Sequence, residues 1–169
     1  MSGYVPIERH FTATAFVSVR GHTLLIWHRK LRMWLPPGGH CEPNEDPIQA
    51  AIREAEEEAG VTVKIIPPHD FPHIDGVNIK PPPAVMGVFD IDTPGEPLHQ
   101  HIDFVYYTRP HSPRKVDFEA PVPAGEHRWV DTAALKTPFS LPAPDGTLVA
   151  VAEDVRVLGM RAIAATDGS

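Results

Sequence analysis

The sequence predicts strands mixed with helices, either as an α+β fold or as an α/β fold in which a mixed sheet lies between helices as an α/β/α sandwich. Three observations carry this expectation. Strand-like and helix-like segments interleave along the chain, and several strand candidates are hairpin-like neighbours. One segment repeats apolar residues at helical spacing. Hydrophobic residues make up 42% of the 169 positions, enough for a sizeable core. No internal repeat and no composition break divides the chain, so residues 1–169 are read as one domain.

The first strand candidate is 11–19, FTATAFVSV, rich in β-branched and aromatic residues with partial alternation. The second is 23–28, TLLIWH, joined to the first by a turn at Gly21. RKLRMWLPPGG is basic and then rich in proline and glycine, which reads as a loop. Pro47 suits a first helical turn with Asp46 as N-cap, and Gly60 supplies the stop. Between them Ile48, Ala51, Ile52, Ala55 and Ala59 form the apolar stripe. A strand is expected at 61–66. Residues 67–83 are too proline-rich for regular structure. Three further strands are expected at 84–91, 101–108 and 127–130. A short helix capped by Asp131 follows. A terminal helix is expected over 147–165.

The charge balance narrows the function. Fifteen basic against 22 acidic residues give a formal net charge of -7, which argues against a general nucleic-acid binder. Small anionic ligands stay open, because a metal ion can offset local acidity. No apolar run is long enough for a transmembrane helix, and the first ten residues lack a secretory pattern. Cys41 is the sole cysteine, which fits a reducing compartment. A cytoplasmic location without membrane contact is therefore expected.

The helix itself poses the functional question. Glu54, Glu56, Glu57 and Glu58 crowd into little more than one turn, with Arg53 the nearby cation. Glu54 and Glu58 form an i,i+4 like-charge pair, which opposes the helix by roughly 0.2–0.5 kcal/mol. At 100° per residue, Glu54, Glu57 and Glu58 share a face about 100° wide, and Glu56 points elsewhere. A solvated face normally alternates signs. Converging carboxylates instead suit a hard divalent cation such as Mg²⁺, which takes oxygen ligands and bridges to phosphates. An EF-hand loop is absent.

The spacing resembles the Nudix box, G-x5-E-x7-R-E-U-x-E-E-x-G-U. Gly39, Glu45, Arg53, Glu54, Glu57, Glu58 and Gly60 fill its fixed glycine and polar positions, and Val61 its last aliphatic one. Ala55 is smaller than the usual aliphatic residue, which implies looser local packing. Asn44 stands where glycine commonly precedes the first glutamate. MWLPPGGH before the box, the strand order and the later EHRWVDTAAL also look Nudix-like, so the resemblance covers most of the chain. It implies a Nudix sandwich that hydrolyses a nucleoside diphosphate linked to another group. Glu54, Glu57 and Glu58 would bind Mg²⁺, or Mn²⁺, together with the carbonyl of Gly39. Glu45 and Arg53 would pair to hold the loop against the helix.

In such enzymes the base that activates water often lies outside the box. Glu126 is favoured over Asp117 and Glu119 because it stands just before the Trp129 strand, and a box glutamate is the alternative. HQHID places His99, His101 and Asp103 on one strand face. This face is read as a substrate-pocket wall, with His101 and Asp103 as substrate contacts, or as an extra metal contact if it meets the carboxylates, and as a polar sheet face otherwise. Zinc is not expected there, since spacing shows no further ligand. Trp27, Trp34, Phe71 and Tyr106 are candidate base-stacking residues, with a core role the simpler reading. Arg29, Lys30 and Arg32 are candidate phosphate contacts.

Substrate signatures are mostly absent. The upstream signature of coenzyme A pyrophosphatases and the SQPWPFPxS of NADH pyrophosphatases are missing. Val77 stands where ADP-ribose pyrophosphatases carry proline, and Asn78 near the tyrosine of many dinucleoside polyphosphate hydrolases. A nucleoside triphosphate remains the default. Dinucleoside polyphosphates, nucleotide sugars, or a non-catalytic nucleotide sensor are the alternatives.

Overall fold

The structure is a computed structural model that describes residues 7–92, 95, 97–119 and 126–168. Strands β1 (Arg9–Val19) and β2 (His22–His28) pair antiparallel across the turn at Gly21, whose φ is +75°. Short strands β3 (Met33–Leu35) and β4 (Gly38–His40) follow. Helix α1 (Pro47–Ala59) leads into β5 (Val63–Ile66). Strands β6 (Val85–Ile91), β7 (His99–Pro110) and β8 (His127–Asp131) come next. Asp131 caps the one-turn helix α2 (Thr132–Leu135) by accepting from the Ala134 N–H. The hairpin β9 (Ser140–Pro142) and β10 (Leu148–Ala150) precedes helix α3 (Glu153–Asp167).

The main sheet runs β3-β2-β1-β7-β5, with β4 paired to β1, β6 to β7 and β8 to β2. It is mixed: β1 and β7 are parallel, and their neighbours are antiparallel. The parallel register sets His10 beside His101 and Thr12 beside Asp103.

Alternation along β1 divides the core in two. Ala13, Ala15 and Val17 face α1 and pack with Ile48, Ala51, Ala55 and Tyr106. Phe16 faces the other way with Val105 and Tyr107, against Val155, Ala162 and Ile163 of α3. The sheet is thus the middle layer, as the sequence predicts. Ala55 is fully buried, and the small residues on this face of α1 let the helix lie close to β1.

Two expectations are corrected. The loop reading of RKLRMWLPPGG misses β3, which pairs with β2 by setting Trp34 opposite Trp27, and β4, which pairs with β1. The terminal helix starts at Glu153, because Leu148–Ala150 is a strand paired with Ser140–Pro142. No helix among the described residues is long and apolar enough to cross a membrane.

Candidate active site

Helix α1 is fixed at both ends. The Asp46 carboxylate accepts from the N–H groups of Ile48 and Gln49, each at 3.0 Å. The Gln49 side chain returns to the Asp46 N–H at 2.9 Å, completing a capping box. Such a cap is worth about 1 kcal/mol. Gly60 closes the helix at φ +63°, a conformation that favours glycine. The helix buries Ile48, Ala50, Ala51, Ala55 and Ala59. Arg53 and the acidic residues therefore emerge on the side toward β4 and the 40–46 loop.

Arg53 organises that side. Its Nε and Nη2 donate to the two Glu45 carboxylate oxygens at 3.0 and 2.9 Å. Nη1 donates to Glu54 Oε1 at 2.8 Å and to Glu57 Oε2 at 3.1 Å. Nη2 also reaches the His40 carbonyl at 3.1 Å, tying β4 to the helix. The Arg53 hydrogen bonds hold the Glu45 carboxyl below its usual range, and those carboxylates push the guanidinium pKa up. Asn44, just before Glu45, has φ +70°, a left-handed conformation that asparagine tolerates better than most residues with a side chain.

Glu58 is placed differently. Its Oε2 accepts from the Gly38 N–H at 3.0 Å. Burial, followed by the charges of Glu54 and Glu57, pushes its pKa from 4.5 up to about 7, although the Gly38 bond opposes this. Gly39 lets β4 approach closely: a Cβ there would press on the Glu54 carboxylate, which would have to shift.

Glu57 and Glu58 line a cavity of about 400 Å³ with Glu126, Trp27, Arg29 and Lys30. The Trp27 N–H donates to the Glu126 carbonyl at 2.9 Å, which holds Glu126 against β2. Asp117 and Glu119 are exposed, and Arg32 is engaged by Asp145 at 2.9 Å. Trp34 and Tyr106 are buried in the core, and Phe71 is exposed. Of the four candidate aromatics, Trp27 is the one that walls this cavity.

His101 and Asp103 lie across the sheet from α1, on the face that carries Val105 toward α3. They do not share a face with the carboxylates, so direct phosphate contact by His101 gives way to the polar-face reading. Both line a second cavity of about 390 Å³, walled by Phe16, Leu35, Val105 and Leu158 and bordered by Gly38 and Gly39. Asp103 is buried there and accepts from Thr12 Oγ1 at 2.9 Å. Burial raises its pKa. Burial also lowers that of His101 to about 4, helped by His40, His99 and His10. His28, which sequence reasoning passed over, lines both cavities. Its place two residues after Ile26, on the same face of β2, carries no distinguishing signal.

The comparison with known proteins agrees with this fold. The NUDIX domain matches residues 8–150. The chain belongs to the Nudix family. A Nudix-family hydrolase from Clostridium perfringens is 31% identical, with a TM-score of 0.66 over 94% of this chain and 98% of that one. A probable DHNTP pyrophosphohydrolase of Lactococcus lactis subsp. cremoris is 32% identical over 106 residues, 63% of this chain and 57% of that protein. An asymmetrical bis(5'-nucleosyl)-tetraphosphatase of Caenorhabditis elegans is 50% identical over 40 residues, 24% of this chain and 29% of that protein. The chain thus spans less than two thirds of each of these two curated relatives.

Nudix hydrolases generally use a divalent metal, and the donor set here fits one. Three carboxylates, Glu45, Glu54 and Glu57, share the guanidinium of Arg53, and the charges of Glu54 and Glu57 act on Glu58 beside them. The half-buried Glu58 carboxyl, with its pKa pushed up to about 7, carries a charge that is only partly compensated, which a hard cation would remedy.

Proposed function

We propose that the chain is a single Nudix hydrolase domain that cleaves a nucleoside triphosphate to the monophosphate and pyrophosphate. The observation that carries the reading is the cavity in which Glu57, Glu58 and Glu126 meet beside Arg29 and Lys30. Glu54, Glu57 and Glu58, with the Gly39 carbonyl, would hold Mg²⁺ or Mn²⁺. Such an ion neutralises phosphate oxygens and makes a bound water more acidic.

The chain's own residues do the rest. Arg29 and Lys30 attract the polyphosphate. Glu126 accepts the proton of the attacking water. The water oxygen bonds to the α-phosphorus as the bridging P–O bond breaks, and pyrophosphate leaves with that electron pair. Arg53 and Glu45 act as positioning residues that hold Gly39 and His40 against α1. The apolar cavity beside Gly39 suits the base and sugar, with Asp103 as its polar contact.

The substrate class rests on two supports. The 390 Å³ cavity is of a size for one nucleoside. The relative from L. lactis is named as a probable DHNTP pyrophosphohydrolase. The 40-residue match to the tetraphosphatase favours a second reading, a dinucleoside polyphosphate. A panel of nucleoside triphosphates, dinucleoside polyphosphates and nucleotide sugars, with both products identified, tests the choice. Monophosphate plus pyrophosphate from a triphosphate is expected. Preferential cleavage of the dinucleoside compounds supports the second reading, and binding without turnover of any compound supports a sensor. We also propose a cytoplasmic location, which the single cysteine fits.

A further inference from the structure

Four imidazoles gather on the α3 face of the sheet, away from the carboxylate helix. His10 comes from β1, His40 from β4, and His99 and His101 from β7. The parallel register of β1 and β7 sets His10 beside His101. One nitrogen from each of His10, His99 and His101 lies within 4.8 Å of the others. The His40 ring centroid is 4.8 Å from that of His101.

The outer hydrogen bonds of these rings settle which nitrogen each presents. His99 Nδ1 is 3.0 Å from the Pro97 carbonyl, which only accepts, so Nδ1 carries the proton and Nε2 keeps its lone pair. His10 Nε2 is 3.1 Å from Glu8 Oε1, also an acceptor, which leaves Nδ1 as the lone-pair nitrogen. That Nδ1 faces His40 Nε2 at 3.2 Å. His101 Nε2 is buried and has no hydrogen-bond partner among the described residues. A buried nitrogen without a partner is costly unless something binds it. A backbone carbonyl or carboxylate on the far nitrogen is how metal-ligating histidines are oriented.

We propose that His10, His99 and His101 form a second metal site, selective for a borderline transition ion, Zn²⁺ first, and separate from the carboxylate site. Imidazole nitrogens suit Zn²⁺, Ni²⁺ or Co²⁺, whereas Mg²⁺ takes oxygen ligands. Tetrahedral Zn–N bonds of roughly 2.0–2.1 Å place ligand nitrogens about 3.3 Å apart. The rings reach that spacing by closing inward over a cavity of about 430 Å³ that they already line. His40 stands beside the fourth position. The ion would bridge β1 and β7 next to the Gly39 loop.

The test uses the untagged full chain, stripped by chelator and dialysed against Zn²⁺ in excess Mg²⁺. One zinc per chain is expected to remain. His10→Gln and His99→Gln should each weaken zinc binding at least about tenfold, and Glu8→Gln should weaken it by a smaller factor. Glu54→Gln and Glu57→Gln should leave it unchanged. Co²⁺ loaded into the wild-type chain should show visible d–d bands of nitrogen ligation, which removes dependence on any variant's folding. Complete displacement of zinc by Mg²⁺ overturns the proposal. So does loss of zinc in Glu57→Gln with retention in both histidine variants, which would assign it to the carboxylates.

Discussion

Arg53 grips Glu45 with two parallel hydrogen bonds, at 3.0 and 2.9 Å, across the loop that carries Gly39 to α1. Fork-on-fork pairs of this kind combine charge with geometry. Arg53→Ala removes both bonds and those to Glu54, Glu57 and the His40 carbonyl. It should cost about 1.5–3 kcal/mol of stability by the usual worth of charged hydrogen bonds. It should also lower kcat, because the loop loses its position. Arg53→Lys should recover stability in part without restoring the forked geometry. Thermal melts paired with steady-state rates check this; an Arg53→Ala variant with wild-type Tm and rate would refute it.

Glu58 predicts a pH signature for the metal-free protein. Its folded pKa of about 7 lies above the ordinary 4.5, so between those values the folded chain binds more protons than the unfolded one. Stability therefore falls as pH rises from 4.5 through 7, then levels. Glu58→Gln removes that fall and retains an oxygen to accept from Gly38. In chelator, the variant should be the more stable protein at pH 8 and match wild type at pH 4. Denaturant midpoints measured across that range decide it, and parallel pH profiles would contradict the assignment.

Glu126 shares its cavity with Glu57 and Glu58. As the base it should act in the transition state rather than in binding. Glu126→Gln is expected to lower kcat about 10²–10⁴-fold with little change in KM. An unchanged kcat moves the role to a box glutamate, since Glu119 is exposed.

Asp103 offers the opposite split. It sits among apolar walls with Thr12 as its hydrogen-bond donor, in the cavity assigned to the nucleoside. Asp103→Ala should raise KM more than it lowers kcat, and should blur discrimination between bases. Kinetics on two triphosphates differing only in the base check this. Equal KM values for wild type and variant would return Asp103 to a structural part of the sheet face.

The helix and its carboxylates were legible because both lie within one continuous segment. Asp46, Pro47 and Gly60 announce the ends of α1, and helical spacing announces its two faces. β4 was not legible, because its partner is Thr12–Thr14 of β1, and glycine-rich sequence hides a strand whose pairing is non-local. β10 reads as helix from sequence because the apolar Leu148, Val149 and Ala150 suit either state. The turn at Asp145-Gly146, with Gly146 at φ +83°, was the neglected sign of its hairpin. Spacing shows His99 and His101 on one strand face but not the rest of the histidine cluster: His10 and His40 join them through the parallel register of β1 and β7 and the pairing of β4.

The central claim is that the carboxylates of α1 hold a divalent ion for hydrolysis. The most direct measurement is pyrophosphate release from a nucleoside triphosphate by wild type and Glu57→Gln, each in Mg²⁺ and in excess chelator, with circular dichroism confirming the fold. Wild type in Mg²⁺ should turn over, while chelated wild type and Glu57→Gln should fall by about 10²-fold or more. Full activity in chelator, or an undiminished rate in folded Glu57→Gln, would contradict the claim.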